Sequence, residues 1–481
     1  MKKILAFLLC IIAVLSVVAC KKPQVEDSDG ITVVNNGDRI YATDADQKSL
    51  SVIKIGFTEA GFGREWLVEI AKSFIKANDS YEIRLEGDPS LADSMSTKLD
   101  SGENLSDIFF PLNSAWEVYA SKGQLEPLDD VYTSKPDGES GKTVEEKTDE
   151  NYKTYAKYTT KYGTHYYMLP WNDTVTGIVY NVKMFNEYGW KIPETTDELE
   201  ELCKKIIADT KDKVKPFAYP GKIGGYFDYI GSTWWMQISG IDGVKSFFAF
   251  DSAEVYNPAT QPALGKKQAL EEFLRFYSPD KGYCISGSMS KDHTTSQMDF
   301  INGKAAMILN GNWMECEMKT NMDEDFTMGM MSVPYVKNAK KDADGNYVKV
   351  NYTAPPDYII IPKEAANISG AKKFLTFMTS DEMLKLYTKI TGSPRPFDYD
   401  LASIDGISKF NQDVLKLRAE SNTMFDFSRK GVYMYGYAPK YIGGQPYSAL
   451  IRGEMTPQRF CNLEYVESDD NWDEWLSKSN L

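Results

Sequence analysis

Histidine is almost missing from this chain, with 2 in 481 residues. A Ser-His-Asp hydrolase or a histidine-bound zinc site would have to use His165 or His293. The cysteines (Cys10, Cys20, Cys203, Cys284, Cys316 and Cys461) are scattered without a CxxC pair, which argues against a zinc knuckle. HExxH, GxSxG, a P-loop and a GxGxxG fingerprint are all missing, which weakens hydrolase, NTPase and dehydrogenase readings. Glycosidases need only two carboxylates, so the 69 acidic residues leave that class open. Positive charge is scarce, with 54 Lys and Arg against those 69 acids. Phosphate binding needs a basic field, so no nucleic-acid partner is expected. Past the N-terminus, no apolar run approaches the roughly 20 residues of a membrane-spanning helix.

The N-terminus is the exception to that polarity. Lys2 and Lys3 precede 16 uncharged residues, Ile4 to Ala19, too few for a span and suited to a secretory signal. Val17-Val18-Ala19-Cys20 resembles a bacterial lipobox, with Val at 17 where Leu is more usual. The resemblance implies cleavage after residue 19 and lipidation of Cys20. It places the chain outside the cytoplasm as a lipoprotein held at the cell membrane by its anchor alone. Loss of two lysines and no acids takes the mature charge to 52 − 69 = −17. Residues 20–50, polar and rich in Asp, Asn and Gly, are expected to be a flexible tether.

Folding is expected to begin at residue 51. The alternation of Ser51 to Phe57 predicts a strand, and Leu67, Ile70, Ala71, Phe74 and Ile75 predict a helix. A second strand, Tyr81 to Glu86, a short helix near 91–99 and Asp107 to Phe110 continue the pattern. Strands alternating with helices imply an α/β protein with largely parallel sheets. Residues 133–151 read as a charged surface loop. Gly177 to Tyr180 reads as a strand. Thr195 and Glu198 form a capping box before a helix that buries Leu199, Leu202, Cys203 and Ile206. Asp344-Gly345 predicts a hairpin turn, because Lys340 stands where a calcium loop needs a carboxylate.

Aromatic residues recur beside amides, carboxylates and glycines: Glu59 to Phe62, Trp171-Asn172-Asp173, Gly225 to Asp228, Trp234-Trp235 and Asn310 to Trp313. A sugar ring has an apolar C–H face and a rim of hydroxyls, which such groups can match. Buried core packing is the competing explanation for each aromatic. Neighbouring Trp234 and Trp235 point in different directions, so at most one is expected to face a cleft.

Leu169 to Asn181, with Met184-Phe185 and Pro193 to Leu199, resembles the middle of the family 1 extracellular solute-binding proteins of ABC importers, relatives of maltose-binding protein. Phe300 to Trp313 is similar to that family's F-x-x-G-K-A-A-M…G-x-W segment. Ser106 to Phe110, Gly123 to Asp129, Tyr358 to Ala365 and Gly392 to Pro396 resemble its early and late patterns. The resemblance covers about residues 51–470. It implies a two-lobe periplasmic-binding-protein-like fold of type II, each lobe a mostly parallel sheet flanked by helices, joined by a hinge. Lobe one would comprise 51–172 plus 356–392 and lobe two 175–354 plus 396–481, with hinges near 171–175, 354–357 and 392–396. By position, Trp313 resembles the family's stacking tryptophan, and Glu59 and Phe62 sit in the first strand-to-helix loop. Trp171 and Asp173 at the crossover, with Asp228, Trp234, Asn312 and Tyr437, complete the expected ligand-binding set.

The resemblance implies a carbohydrate ligand, expected to be an oligosaccharide, handed to ABC permease subunits by a monomer needing neither cofactor nor metal. Two alternatives stay open: a surface-anchored glycosidase or polysaccharide lyase, and the same fold with a non-sugar cargo.

Overall fold

The computed structural model describes residues 24–112, 116–249, 252–353, 357–424 and 447–479. The first sheet contains β1 (Val25–Ser28), β2 (Ile31–Val34), β3 (Arg39–Ala42), β4 (Ser51–Phe57), β5 (Tyr81–Gly87) and β6 (Ile108–Phe110), in the order β1-β2-β3-β5-β4-β6. β4 lies parallel to both β5 and β6. Helix α1 (Glu65–Ala77) follows β4 and buries Leu67, Ile70, Ala71, Phe74 and Ile75, the stripe its spacing predicts.

Residues 25–42 are not a tether. They form an antiparallel meander that joins the sheet through β3 and β5. Ile31, Val33 and Ile40 enter the core, and Arg39 donates to buried Glu82 at 2.7 Å. The meander turns at Asn35, Asn36 and Gly37, all with positive φ. That left-handed turn, between two short alternating runs, was the readable signal of a hairpin. The charged stretch 133–151 likewise holds the helix Val144–Lys147, with a Thr143–Glu146 capping box. Lys147 is buried there against Asp137 and Asp381, so the segment is more than a surface loop.

The second sheet contains β7 (Thr176–Asn181), β8 (Lys215–Ala218), β9 (Ala305–Gly311) and β10 (Met328–Met331). Only β8 and β9 are parallel; β7 runs antiparallel to β9 and β10. The expectation of mostly parallel sheets therefore holds for β4, β5 and β6 and fails here. Hydrophobic alternation marks a strand but carries no direction. The helix Thr196–Thr210 starts at the expected Thr195 capping box and buries Cys203. The turn at Gly345 closes a single antiparallel bridge between Lys341 and Tyr347.

Two α/β lobes result. One core draws on residues between Ile31 and Trp171 and between Tyr358 and Tyr399. The other lobe holds two clusters, built from residues between Val175 and Tyr352, Phe410 and Leu417, and Tyr447 and Cys461. Phe397 and Tyr399, expected in lobe two, pack in lobe one. The chain after Pro396 turns back there, with Asp398 N–H donating to Lys147 O at 2.7 Å.

Candidate functional site

The lobes meet where the loop after β4 faces the segment after β9. A Cβ placed on Gly61 would lie 3.5 Å from the Trp313 Cβ, and the Cys316 thiol donates to Phe62 O at 3.3 Å. The Trp313 ring lies so close over Gly311 that a Cβ there would come within 2.1 Å of it, so only glycine fits. Trp313 is partly exposed and meets the Tyr229 ring edge-to-face, with centroids 5.7 Å apart. Tyr226 packs on Tyr229 at 4.7 Å, one helical turn away. Lobe two thus presents a tryptophan braced by Tyr229, itself packed on Tyr226. Tyr229 escaped the sequence analysis, although its i+3 spacing from Tyr226 was visible.

The lobe-one wall is an aromatic cluster. Trp66 and the Arg395 guanidinium pack on Trp171 at 3.9 and 4.0 Å from its ring centroid. Phe110 and Tyr387 meet it edge-on at 5.3 and 4.7 Å. Trp171, expected to contact ligand, is left only 5% exposed, with no free face for a sugar. Phe62 is buried against Tyr387 in the same cluster. Glu59 is exposed, but both its oxygens accept from Arg64, at 2.8 and 2.6 Å.

Asp173 and Asn312, expected in the site, instead bind the chain crossings together. The Asp173 carboxylate accepts from Tyr152 O–H at 2.7 Å and Arg418 Nε at 2.6 Å. Burial pushes its carboxyl up, and Arg418 opposes that shift. The Asn312 amide accepts from Val175 N–H at 3.2 Å and donates to Asp173 O at 3.2 Å and Ser393 Oγ at 2.7 Å. Both side chains are buried and their bonding capacity is used within the protein.

Trp234 is a core residue, contrary to expectation. It is fully buried, and its indole N–H donates to Pro334 O at 2.9 Å. Trp235 is buried too and donates to Pro262 O at 2.9 Å, so neither neighbour reaches a cleft. Both lie on the helix Asp228–Ser239, which is buried along nearly its whole length. Asp228 opens that helix and accepts from Ser232 Oγ at 3.1 Å. Tyr437 and Cys20 lie outside the described residues.

Two charged groups near Trp171 went unnoticed in the sequence. Asp357 accepts from the Asn172 amide at 2.7 Å, and burial pushes its carboxyl up to about 7, partly opposed by that bond. Arg395 is 2% exposed, its guanidinium nitrogens have no hydrogen-bond partner, and burial pushes it down to about 10. A cavity of about 30 Å³ opens where β4 and β6 end, lined by Thr58, Phe62, Trp66, Phe110, Trp171 and Asp357. Among the described residues no group of three or more His, Cys, Asp or Glu side chains could hold a metal ion.

Residues 63–385 match the family model for the bacterial extracellular solute-binding proteins, and the chain belongs to that family. It is 25% identical over 334 residues to a multiple sugar-binding protein of Streptococcus mutans, covering 68% of this chain and 71% of that one. It is also 25% identical over 320 residues to a maltotriose-binding protein of Pyrococcus abyssi, covering 66% of this chain and 60% of that one. Among solved structures, the solute-binding protein RafE in complex with raffinose superposes with a TM-score of 0.65 at 18% identity. That superposition covers 86% of this chain and 98% of RafE. These relatives are binding proteins, and their family works outside the cytoplasm.

Proposed function

We propose that this chain is a lipid-anchored capture protein that binds an oligosaccharide between its lobes and delivers it to the permease of an ABC importer. The observation that carries this reading is the pairing of Trp313 and Tyr229 across from the Gly61–Phe62 loop. A partly exposed indole braced edge-to-face offers a flat apolar surface to a sugar ring. The maltotriose, multiple-sugar and raffinose ligands named for its relatives support a sugar of more than one ring.

In this reading the chain crossings at 171–175 and 392–396 serve as the hinge; of the third expected segment, 354–357, residues 354–356 lie outside the described residues. A ligand touching both lobes is bound better by the closed form, so binding shifts the population toward closure. No bond is broken in the capture step, and no cofactor or metal takes part. Val17 to Cys20 supports an anchor at Cys20 that keeps the loaded protein near its permease and raises its effective concentration there.

The test is a thermal-shift and calorimetric screen with maltotriose, raffinose, stachyose and chitotriose, with chromatography of each incubated sugar. Stabilisation without new products supports the reading. Product formation would convert it to a glycosidase or lyase, and absence of binding across the panel would remove the sugar assignment.

A further inference from the structure

The small cavity in lobe one has a size and chemistry that Trp313 does not share. At about 30 Å³ it has room for about two water-sized groups, enough for a carbon and an oxygen but not for a pyranose ring. It lies at the carboxyl ends of β4 and β6, the edge where open α/β sheets bind ligands. Phe62, one of its walls, belongs to the loop that touches lobe two through Cys316. Most of the lining is apolar: Phe57, Phe62, Trp66, Phe110 and Trp171.

Two polar groups interrupt that lining. The Thr58 hydroxyl is buried without a hydrogen-bond partner. The Asp357 carboxylate accepts from Asn172 through Oδ2, leaving Oδ1 as an acceptor. A donor-acceptor hydroxyl and a carboxyl lining the same cavity suit a group that both accepts and donates one hydrogen bond. The surrounding rings suit one methylene.

We propose that this cavity is a slot for the exocyclic hydroxymethyl arm of a hexose, with Thr58 donating to the arm's oxygen and Asp357 accepting its proton. The slot makes the protein select hexose over pentose units at this position. This inference rests on sugar capture as the function. It adds a determinant that the Trp313 platform cannot supply, because ring stacking accepts both sugar classes.

The probes are methyl glycosides in matched pairs that differ only in the arm: glucose with xylose, galactose with L-arabinose, and mannose with lyxose. Saturation-transfer NMR on the full protein should show the strongest transfer at the two H6 protons of at least one hexoside. Its pentoside partner should bind about ten- to hundredfold more weakly, as expected when two buried hydrogen-bonding groups are left without a partner. Thr58→Val, nearly isosteric, and Asp357→Asn should each narrow that ratio while the protein keeps its circular dichroism spectrum. Equal binding within every pair, or strongest transfer at ring protons, overturns the slot. If no glycoside binds but a panel oligosaccharide stabilises the protein, the slot fails and the capture function stands. If neither binds, both fall.

Discussion

Arg418 donates from Nε to Asp173 Oδ2 at 2.6 Å, tying the helix Lys409–Glu420 of lobe two to the first chain crossing. The same carboxylate accepts from Tyr152 in lobe one, so one buried acid joins elements of both lobes where the chain passes between them.

Removing Arg418 leaves Asp173 buried with the Tyr152 hydroxyl as its remaining side-chain partner. Arg418→Met should cost about 2–4 kcal/mol of unfolding free energy, because a stranded buried charge is more costly than the lost pair. Asp173→Asn in that background should recover part of the loss. Urea denaturation of the two variants checks both outcomes; a loss below about 0.5 kcal/mol would mean water reaches Asp173.

Trp313→Ala should weaken oligosaccharide binding by about 1–3 kcal/mol, the range for base–aromatic stacking. Tyr229→Phe should change affinity little, since the edge-to-face contact needs the ring and not the hydroxyl. Titration calorimetry separates the two, and unchanged affinity in folded Trp313→Ala removes this residue from the site.

Trp234 gives the opposite expectation. Trp234→Ala should destabilise the fold by about 3–5 kcal/mol through lost packing and a cavity. Trp234→Phe, which keeps most of the volume, should bind sugar as the parent does. Weakened binding in that stable variant would return Trp234 to the site.

Asp357 makes stability depend on pH. Its folded carboxyl titrates at about 7, above the ordinary value of 3.8, so the folded state holds a proton that the unfolded chain releases. That contribution is fully present below about pH 4 and is lost as pH rises through 7. Asp357→Asn should therefore gain stability relative to the parent between pH 4 and 7, with a constant difference above. Melting temperatures across that range check the sign; parallel curves throughout would place Asp357 in water.

Elements with strong periodicity were legible before any coordinates. The Ser51–Phe57 strand, the amphipathic helix behind it and the Thr195 cap follow from local spacing and a side chain's reach to its own backbone. The meander at 25–42 was hidden by its composition. Its polar residues face solvent, while Ile31, Val33 and Ile40 find a core only because β5 offers an edge. Phe62 and Trp313 lie on either side of the interlobe contact. Trp234 and Asn312 share the same kind of motif yet turn inward.

The sequence by itself determined the family, the most strongly periodic strands and helices, and the polar, acidic chain behind an apolar N-terminal run, because these depend on residue order and local periodicity. Only the tertiary structure decided which polar and aromatic side chains keep spare bonding capacity. Asp173 and Asn312 use theirs in contacts with Arg418 and Ser393, hundreds of bonds away along the chain. Trp171 spends its faces on Trp66 and Arg395. A residue's availability to a ligand is what remains after its neighbours in space are satisfied, and those neighbours are assembled only by the fold.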